Sequence, residues 1–368
     1  MRPVTILSAY YKHKPGGFTK RLYRAYQGLD AAGYRVIYVA AEKLPVEGNN
    51  IQPVLLPMHT KPSSPLYWPE FYLRAVREIR RITREEQVRH HFMFSFFYAS
   101  VSILAGWGLG VRTLTFVRGD DVYDSRQKRF AWLRGLIHGM LEKLGMRYSA
   151  RILTTSEAMK NIMNQRSGGQ AKTTNLPNDI VTQELDIPVP ELRSETVRIA
   201  TVSVLNRRKN LMFMLEALSK LRTTNWEYLL IGGDTTGEDY LGELQQFAQQ
   251  AGIAERVKFL GWQDDVASIL QTCHLFVLPT LHEGSPNALL EAMGYGMPCL
   301  ASNIPEIREI LPDQELLFSP QQPAELVERL DKFLRLPGYA RVIREKTRHC
   351  KSRYTFDWEQ RLVALISN

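Results

Sequence analysis

The chain has 368 residues, room for two α/β domains, and its 44% apolar content suits a water-soluble globular protein. Cys273, Cys299 and Cys350 have neither paired nor metal-ligand spacing, which excludes a disulfide framework or cysteine metal centre and points to a reducing compartment. The net charge of +9 is uneven: residues 1–175 hold 27 Lys and Arg against 12 Asp and Glu, and residues 176–368 hold 20 against 26, so a basic half suited to phosphates or a membrane surface precedes an acidic one.

The first residues, MRPVT, lack the apolar stretch of a signal peptide. Thr5–Tyr11 reads as a strand, KHKPGG as a loop, Phe18–Ala32 as a helix and Tyr34–Ala41 as the next strand. This βαβ unit begins a doubly wound sheet, and its loop, with His13, Gly16 and Gly17, lies where such sheets bind ligands. Gly16 and Gly17 let a phosphate or sugar approach the backbone. After a Pro-rich stretch with a short strand at Ile51–Leu55 and the aromatics Tyr67, Trp68 and Phe71, a helix is expected from Glu70 to about Arg89. Arg74, Arg77, Arg81 and Arg84, with Arg80 beside them, recur at helical spacing, and Glu78, Glu85 and Glu86 offset only part of their charge. That face is expected to meet anionic lipid headgroups; no groove-reading motif suggests nucleic acid.

Residues 92–110 carry no formal charge, but their serines and glycines and marginal length fit a buried strand at Phe92–Phe97 and a buried helix at Tyr98–Trp107 better than a membrane span. Thr113–Val117 is the next strand, and Arg118-Gly119-Asp120-Asp121 closes it on the ligand side of the sheet. There Arg118 suits a phosphate or acidic group and Asp121 suits hydroxyls. A second basic amphipathic stretch follows. Arg126, Lys128, Arg129 and Arg134 bracket Phe130, Trp132 and Leu133, a pattern suited to a bilayer interface, while Leu136, Ile137, Met140, Leu141 and Leu144 are assigned to the core. Arg151–Thr155 is a strand, Ser156-Glu157 opens a helix, and Pro188 and Pro190 mark a linker.

The second half repeats the rhythm. After the strand Val197–Leu205, the loop Asn206-Arg207-Arg208-Lys209-Asn210 sets basic residues before the helix Leu211–Leu221, an anion site. A strand ends in Gly232-Gly233-Asp234 and another in Gly261-Trp262. Asp264-Asp265 has no His, Cys or acidic cluster around it, so no metal site is expected. The run His274–Leu278 is a buried strand; Ser285 is expected as the N-cap of the next helix, Pro286 as its first residue, and Asn287 and Ala288 continue it until Gly294 and Gly296 end it. A helix start suits a phosphate, and Gly284 permits close approach. Glu283 sits in the loop, and Glu291 leans back toward the same mouth, where it could accept hydrogen bonds from sugar hydroxyls.

The segment EGSPNALLEAMGYGMP, with Glu283 and Glu291 separated by seven residues, resembles the signature of family 4 (GT4) glycosyltransferases, glycosyl transferases group 1. These are retaining, metal-independent enzymes of the GT-B fold. The resemblance implies an α/β chain of two doubly wound Rossmann-like domains facing a central cleft. Residues 1–182 would bind acceptor, 194–345 the nucleotide-sugar, and 346–368 would carry a helix crossing back to the first domain.

It also implies roles. Glu291 would hold the ribose hydroxyls, Glu283 the transferred sugar, and the amides near Gly284 and Ser285 the diphosphate. Gly16 and Gly17 would face donor phosphates, and His13, Arg118 and Asp121 the acceptor. Gly233 and Trp262 would border the base. Leu176-Pro177-Asn178-Asp179 resembles the family's PNG turn, with Asp179 in place of Gly. Lys209 matches the family's diphosphate-clamping lysine, but its usual arginine partner falls on Ser203 or Val204. Arg207 or Arg208 would supply that charge, Arg208 being preferred because it adjoins Lys209.

The function so implied is retaining hexosyl transfer from a nucleotide-diphosphate sugar to a cell-surface glycan or lipid-linked acceptor, with no metal and no cofactor. The acceptor would attack on the same face, and the departing phosphate would take its proton. The alternatives are a GT-B-fold nucleotide-sugar epimerase and a catalytically idle membrane-surface binding module. The expected location is cytoplasmic, peripheral on the inner face of the cytoplasmic membrane.

Overall fold

The computed structural model describes residues 3–13, 17–119, 131–169, 172–181, 183–187, 196–234 and 239–367. The chain divides into two compact units, Met1–Pro177 with Asp357–Asn368, and Asn178–Phe356. Residues 188–195, where a Pro-rich linker is expected, lie outside the described residues.

In the first unit the described strands are β1 (Thr5–Ala9), β2 (Arg35–Ala40), β3 (Ile51–Leu55), β4 (His90–Phe94), β5 (Arg112–Val117), β6 (Arg151–Thr154) and β7 (Thr173–Asn175). They form one sheet in the order β3-β2-β1-β4-β5-β6-β7, every pairing parallel. In the second unit β8 (Val197–Val202), β9 (Trp226–Ile231), β10 (Val257–Gly261), β11 (Leu275–Leu278), β12 (Cys299–Ser302) and β13 (Leu317–Phe318) run in the order β10-β9-β8-β11-β12-β13, again parallel. Parallel strands need crossover segments, and helices covering both faces bury whole strands. Hence Val36–Ala40 and Leu275–Leu278 are apolar without alternation and buried throughout. In each sheet the order reverses beside the first strand, between β1 and β4 and between β8 and β11. Such a reversal point, at the carboxyl ends of the strands, is where open α/β sheets bind ligands.

The helix Trp358–Ser367 belongs to the first unit. Trp358 is fully buried, meets the Phe116 ring edge-on at 5.8 Å and lies under the Arg21 guanidinium at 4.6 Å. Tyr34 and Ser367 share a 2.7 Å hydrogen bond, Arg151 donates to the Leu365 carbonyl at 3.1 Å, and Arg24 pairs with Glu359. The helix Pro337–Lys351 packs instead on β12 and on the helix Asn287–Gly294, so the chain rejoins the first unit at Asp357, later than residue 346.

Three sequence expectations are corrected. The helix expected at Glu70–Arg89 runs Tyr67–Glu85: Pro69 is tolerated in its first turn, and Glu70 binds the His59 and Thr60 amides at 3.0 and 2.9 Å. Its basic face is largely engaged, because Arg74 pairs with Glu70, Arg81 with Glu78 and Glu85, and Arg80 donates to the Ala105 and Trp107 carbonyls. Finally, Leu136, Ile137 and Met140 are exposed on the helix Ala131–Tyr148 rather than packed in the core.

Candidate active site

The second unit's reversal point brings together the loops after β8 and β11. Asn206 caps a 3-10 turn, Arg207–Lys209, by accepting from the Lys209 amide at 3.2 Å. Asn210 then takes a left-handed conformation (φ 56°), which Asn tolerates, and ties its side chain to the Pro320 carbonyl at 3.0 Å. The turn fixes the phase of three consecutive cations. Lys209 Nζ is 2.5 Å from Glu283 Oε1, and Arg208 Nη1 is 3.6 Å from Glu283 Oε2 while donating to the His282 carbonyl at 2.8 Å. Arg207 points elsewhere, pairing with Glu243 at 2.7 Å and lying 5.3 Å over the Tyr240 ring. Arg208 is therefore the arginine beside the acidic loop, and Arg207 is not brought to it.

The Glu283 side chain is only 4% exposed. A buried carboxylate must be paired, and two cations against it leave one formal positive charge over. The loop carrying Glu283 is stitched to the cationic turn: the Leu281 amide donates to the Arg208 carbonyl at 2.9 Å, and the buried Thr280 hydroxyl lies 3.2 Å from that carbonyl and 3.1 Å from the His282 carbonyl. His282 Nδ1 is 3.1 Å from Glu306 Oε1, and Glu306 is itself buried in the short helix Pro305–Arg308 that follows β12. Sequence reading missed Thr280 and Glu306; the signal for them was only their place after β11 and β12.

The helix after this loop runs Asn287–Gly294, one residue later than expected. Pro286 occupies the N-cap position, and Ser285 does not cap. The Ser285 hydroxyl is held by the Asn178 side-chain amide at 2.6 Å, and the same amide donates to Asn287 Oδ1 at 2.5 Å. Asn178 is buried and was read only as part of a turn; its bond to a residue 107 positions away leaves no local trace in the sequence. The helix ends in paired bonds, Gly296 amide to Met293 carbonyl and Met297 amide to Ala292 carbonyl, both 3.1 Å, with Gly296 at φ +82°. Glu291, one turn from the end, is partly exposed; burial, then the Glu291 charge, raises the pKa of the Tyr295 hydroxyl. Gly284, Pro286, Asn287 and Ala288 surround the helix start as expected.

The loops after β9 and β10 meet as well. Gly232 has φ +134°, and a Cβ there would lie 2.0 Å from the Ser203 carbonyl oxygen. Trp262, more than half exposed, covers Gly233 so closely that a Cβ on Gly233 would lie 2.1 Å from the indole nitrogen.

The first unit has its own cluster at the ends of β1 and β5. His13 Nδ1 is 2.7 Å from the Tyr23 hydroxyl, and the rings stack at 5.9 Å. Arg118 is partly buried beside Arg21 and Tyr10; burial, then the Arg21 charge, lowers its pKa to about 9. Burial raises the Tyr10 hydroxyl to about 12, so the phenol stays protonated at neutral pH. Gly17 begins the helix Gly17–Ala31. Gly16 and Asp121 lie outside the described residues. Ser95, at the end of β4, has φ 85° and ψ 161°, a region that disfavours side chains. Among the described residues no group of three or more His, Cys, Asp or Glu is arranged to hold a metal ion.

The family description "Glycosyl transferase 4-like domain" matches residues 16–179, and "Glycosyl transferases group 1" matches residues 182–350. The chain belongs to the group 1 glycosyltransferases. Its fold is GT-B. Sucrose-phosphate synthase from Thermosynechococcus elongatus superimposes with a TM-score of 0.81 at 18% identity, covering 98% of this chain and 97% of that one. Anabaena Alr3699/HepE in complex with UDP-glucose gives 0.75 at 17% identity, covering 99% of each. Among curated proteins, the chain is 35% identical over 100 residues to the Escherichia coli UDP-Gal:alpha-D-GlcNAc-diphosphoundecaprenol alpha-1,3-galactosyltransferase, which is 26% of this chain and 25% of that protein. It is 34% identical over 95 residues to the lipopolysaccharide core biosynthesis glycosyltransferase LpsE of Rhizobium meliloti (strain 1021), 26% of each. These matches span about a quarter of the length of those curated relatives.

Proposed function

We propose that this chain transfers a hexosyl group from a nucleotide-diphosphate sugar to a lipid-linked or cell-surface glycan acceptor, with retention and without a metal ion or other cofactor. The observation that carries the reading is the grouping of Lys209, Arg208 and Glu283 at the reversal point of the second sheet. The net positive charge of that trio would neutralise the leaving diphosphate beside the helix start at Asn287, in the manner of preorganised electrostatic catalysis. Glu291 would accept from the ribose hydroxyls, Glu283 would contact the transferred sugar, and Trp262 over Gly233 would flank the base. Glu283 is already bonded to Lys209, which favours contact with the sugar over attack on it. In the proposed step the anomeric carbon–phosphate oxygen bond breaks, the acceptor oxygen bonds to the same face, and its proton passes to the departing phosphate.

In the first unit, His13 and Arg118 would bind the acceptor, a basic setting suited to an acceptor that carries phosphate. The galactosyltransferase relative, named for a diphosphoundecaprenol acceptor, supports that choice, and an acceptor of this kind would place the chain at the inner face of the cytoplasmic membrane. Among the described residues no helix is long and apolar enough to cross a membrane.

The test is nucleotide release from a panel of UDP-, GDP- and ADP-sugars with and without lipid-linked glycan extract, in the presence of EDTA. Acceptor-dependent release that EDTA leaves unchanged, and a product with the donor's anomeric configuration, are expected. Loss of turnover on chelation would remove metal independence. Donor isomerised without acceptor would point to an epimerase, and no turnover with any donor would end the assignment.

A further inference from the structure

The helix Ala131–Tyr148 shows solvent an apolar stripe that the transfer reaction does not explain. Trp132 is 73% exposed and Met140 64%, and Leu133, Leu136 and Ile137 are exposed between them. Five large apolar side chains on one helix face are more than the scattered apolar residues of an ordinary surface. The opposite face is packed. A Cβ on Gly145 would lie 2.2 Å from the ring of Phe96, the first residue of the helix Phe96–Gly106, so the two helices touch closely there.

The charges are sorted in the same way. Trp132, Leu136, Met140, Lys143 and Arg147 follow one another four, four, three and four positions apart, a single line along a helix. The line is apolar for its first three members and cationic for its last two, both exposed. The helix holds one acid, Glu142, which is buried and paired with Arg166 at 3.1 Å. Beyond Arg147, whose guanidinium lies 5.7 Å over the Tyr148 ring, that ring meets exposed Trp107 at 5.4 Å and lengthens the patch with a second tryptophan.

We propose that this face of the first unit docks on an anionic lipid bilayer. The proposal rests on the lipid-linked acceptor reading and names the surface through which the chain would reach such an acceptor. The apolar stripe enters the interfacial zone, where tryptophan is at home, and Lys143 and Arg147 meet lipid phosphates. Charge complementarity favours a bilayer over a second copy of the chain, because the described stripe carries two cations and no acid to answer them in a copy of itself. The helix Tyr67–Glu85, the more obvious basic element, is the weaker candidate, since Arg74, Arg80 and Arg81 already have protein partners.

Sedimentation of the full chain with phosphatidylcholine vesicles, alone or mixed with phosphatidylglycerol, tests this. The parent should partition into mixed vesicles at least about tenfold more than into neutral ones, as two or more interfacial cations require. The pair Trp132→Ser with Leu136→Ser, and separately Lys143→Glu with Arg147→Glu, should each lower that partition about tenfold. Arg77→Glu with Arg84→Glu, on the other helix, should leave it within about twofold. Unchanged circular dichroism and thermal midpoints, which exposed positions should allow, separate lost docking from lost folding.

Equal partition of the parent and both stripe variants, or loss only with the Arg77/Arg84 pair, overturns the proposal. So does a lipid-free dimer that dissociates on Trp132→Ser, which would give the stripe to a second copy. Donor turnover measured without lipid reads the transferase assignment separately: vesicle binding without turnover sinks that assignment alone, and turnover without vesicle binding sinks the docking alone.

Discussion

Lys209 Nζ and Glu283 Oε1 stand 2.5 Å apart across 74 residues of sequence, on loops leaving the neighbouring parallel strands β8 and β11. Each stabilises the other's charge in a site where little water reaches Glu283. Lys209→Met should therefore do two things. It strands a buried carboxylate, which costs about 3–5 kcal/mol less whatever Arg208 restores from 3.6 Å, and it removes a diphosphate contact, lowering kcat/KM about 100-fold or more. Glu283→Gln removes the charge without the volume and should lower kcat more than it raises KM. Glu291→Ala should weaken nucleotide binding about 10- to 100-fold, roughly the loss of one or two hydrogen bonds to hydroxyls. Calorimetric melting, steady-state kinetics and titration with free nucleotide separate these effects.

Arg207 and Arg208 are neighbours in sequence with opposite surroundings. Arg208→Ala should lower kcat/KM at least about tenfold by removing a cation next to Glu283. Arg207→Ala loses an exposed pair with Glu243 and a contact over the Tyr240 ring, and should change activity less than about threefold and stability by less than about 2 kcal/mol. Equal losses from both substitutions would contradict the geometry of the 3-10 turn.

Ser95 stores backbone strain at the reversal point of the first sheet, held by its amide bond to the Phe116 carbonyl at 2.9 Å. Glycine adopts φ 85° without a Cβ penalty, so Ser95→Gly should raise folding stability by about 1 kcal/mol, visible as a higher urea midpoint. A lower midpoint would mean that the Ser95 hydroxyl contributes more than the strain costs.

The layout was legible where physics acts locally. Apolar runs such as Leu275–Leu278 read as strands because both sheet faces are covered, and the loops after β8 and β11 read as ligand loops because their residue types suit anions. What escaped depended on phase and partnership. Whether Arg207 or Arg208 turns inward is decided by a single turn of 3-10 helix that begins at an Asn206 cap. On the basic face of the helix Tyr67–Glu85, acids three and four positions away reach Arg74 and Arg81, a pairing that a sum of charges does not capture. Leu136, Ile137 and Met140 read as core because hydrophobicity alone carries no information about which side of a helix has a neighbour.

His91 is a buried histidine whose ring nitrogens lie 2.8 Å from the Ser102 hydroxyl and 3.1 Å from the Thr83 hydroxyl. Burial, then the neighbouring His90, lowers its pKa to about 3, well below the ordinary value of 6.5. Between those values the unfolded chain binds a proton that the folded chain refuses, so stability rises with pH across that window and is lost as pH falls through it. From about pH 7 to about pH 5 this one group should cost about 2 kcal/mol. Urea titrations of the parent and of His91→Gln at both pH values check it: the variant should be less stable at neutral pH but lose less on acidification.

Trp358 closes the core around Phe116 and Arg21, yet the ribosome supplies it only after residues 178–356 have been made. During synthesis the second sheet can be complete while the first still waits for its final helix. An arrest or premature stop before Asp357 would thus leave the earlier-made part open at its centre, although every strand of its sheet had already emerged.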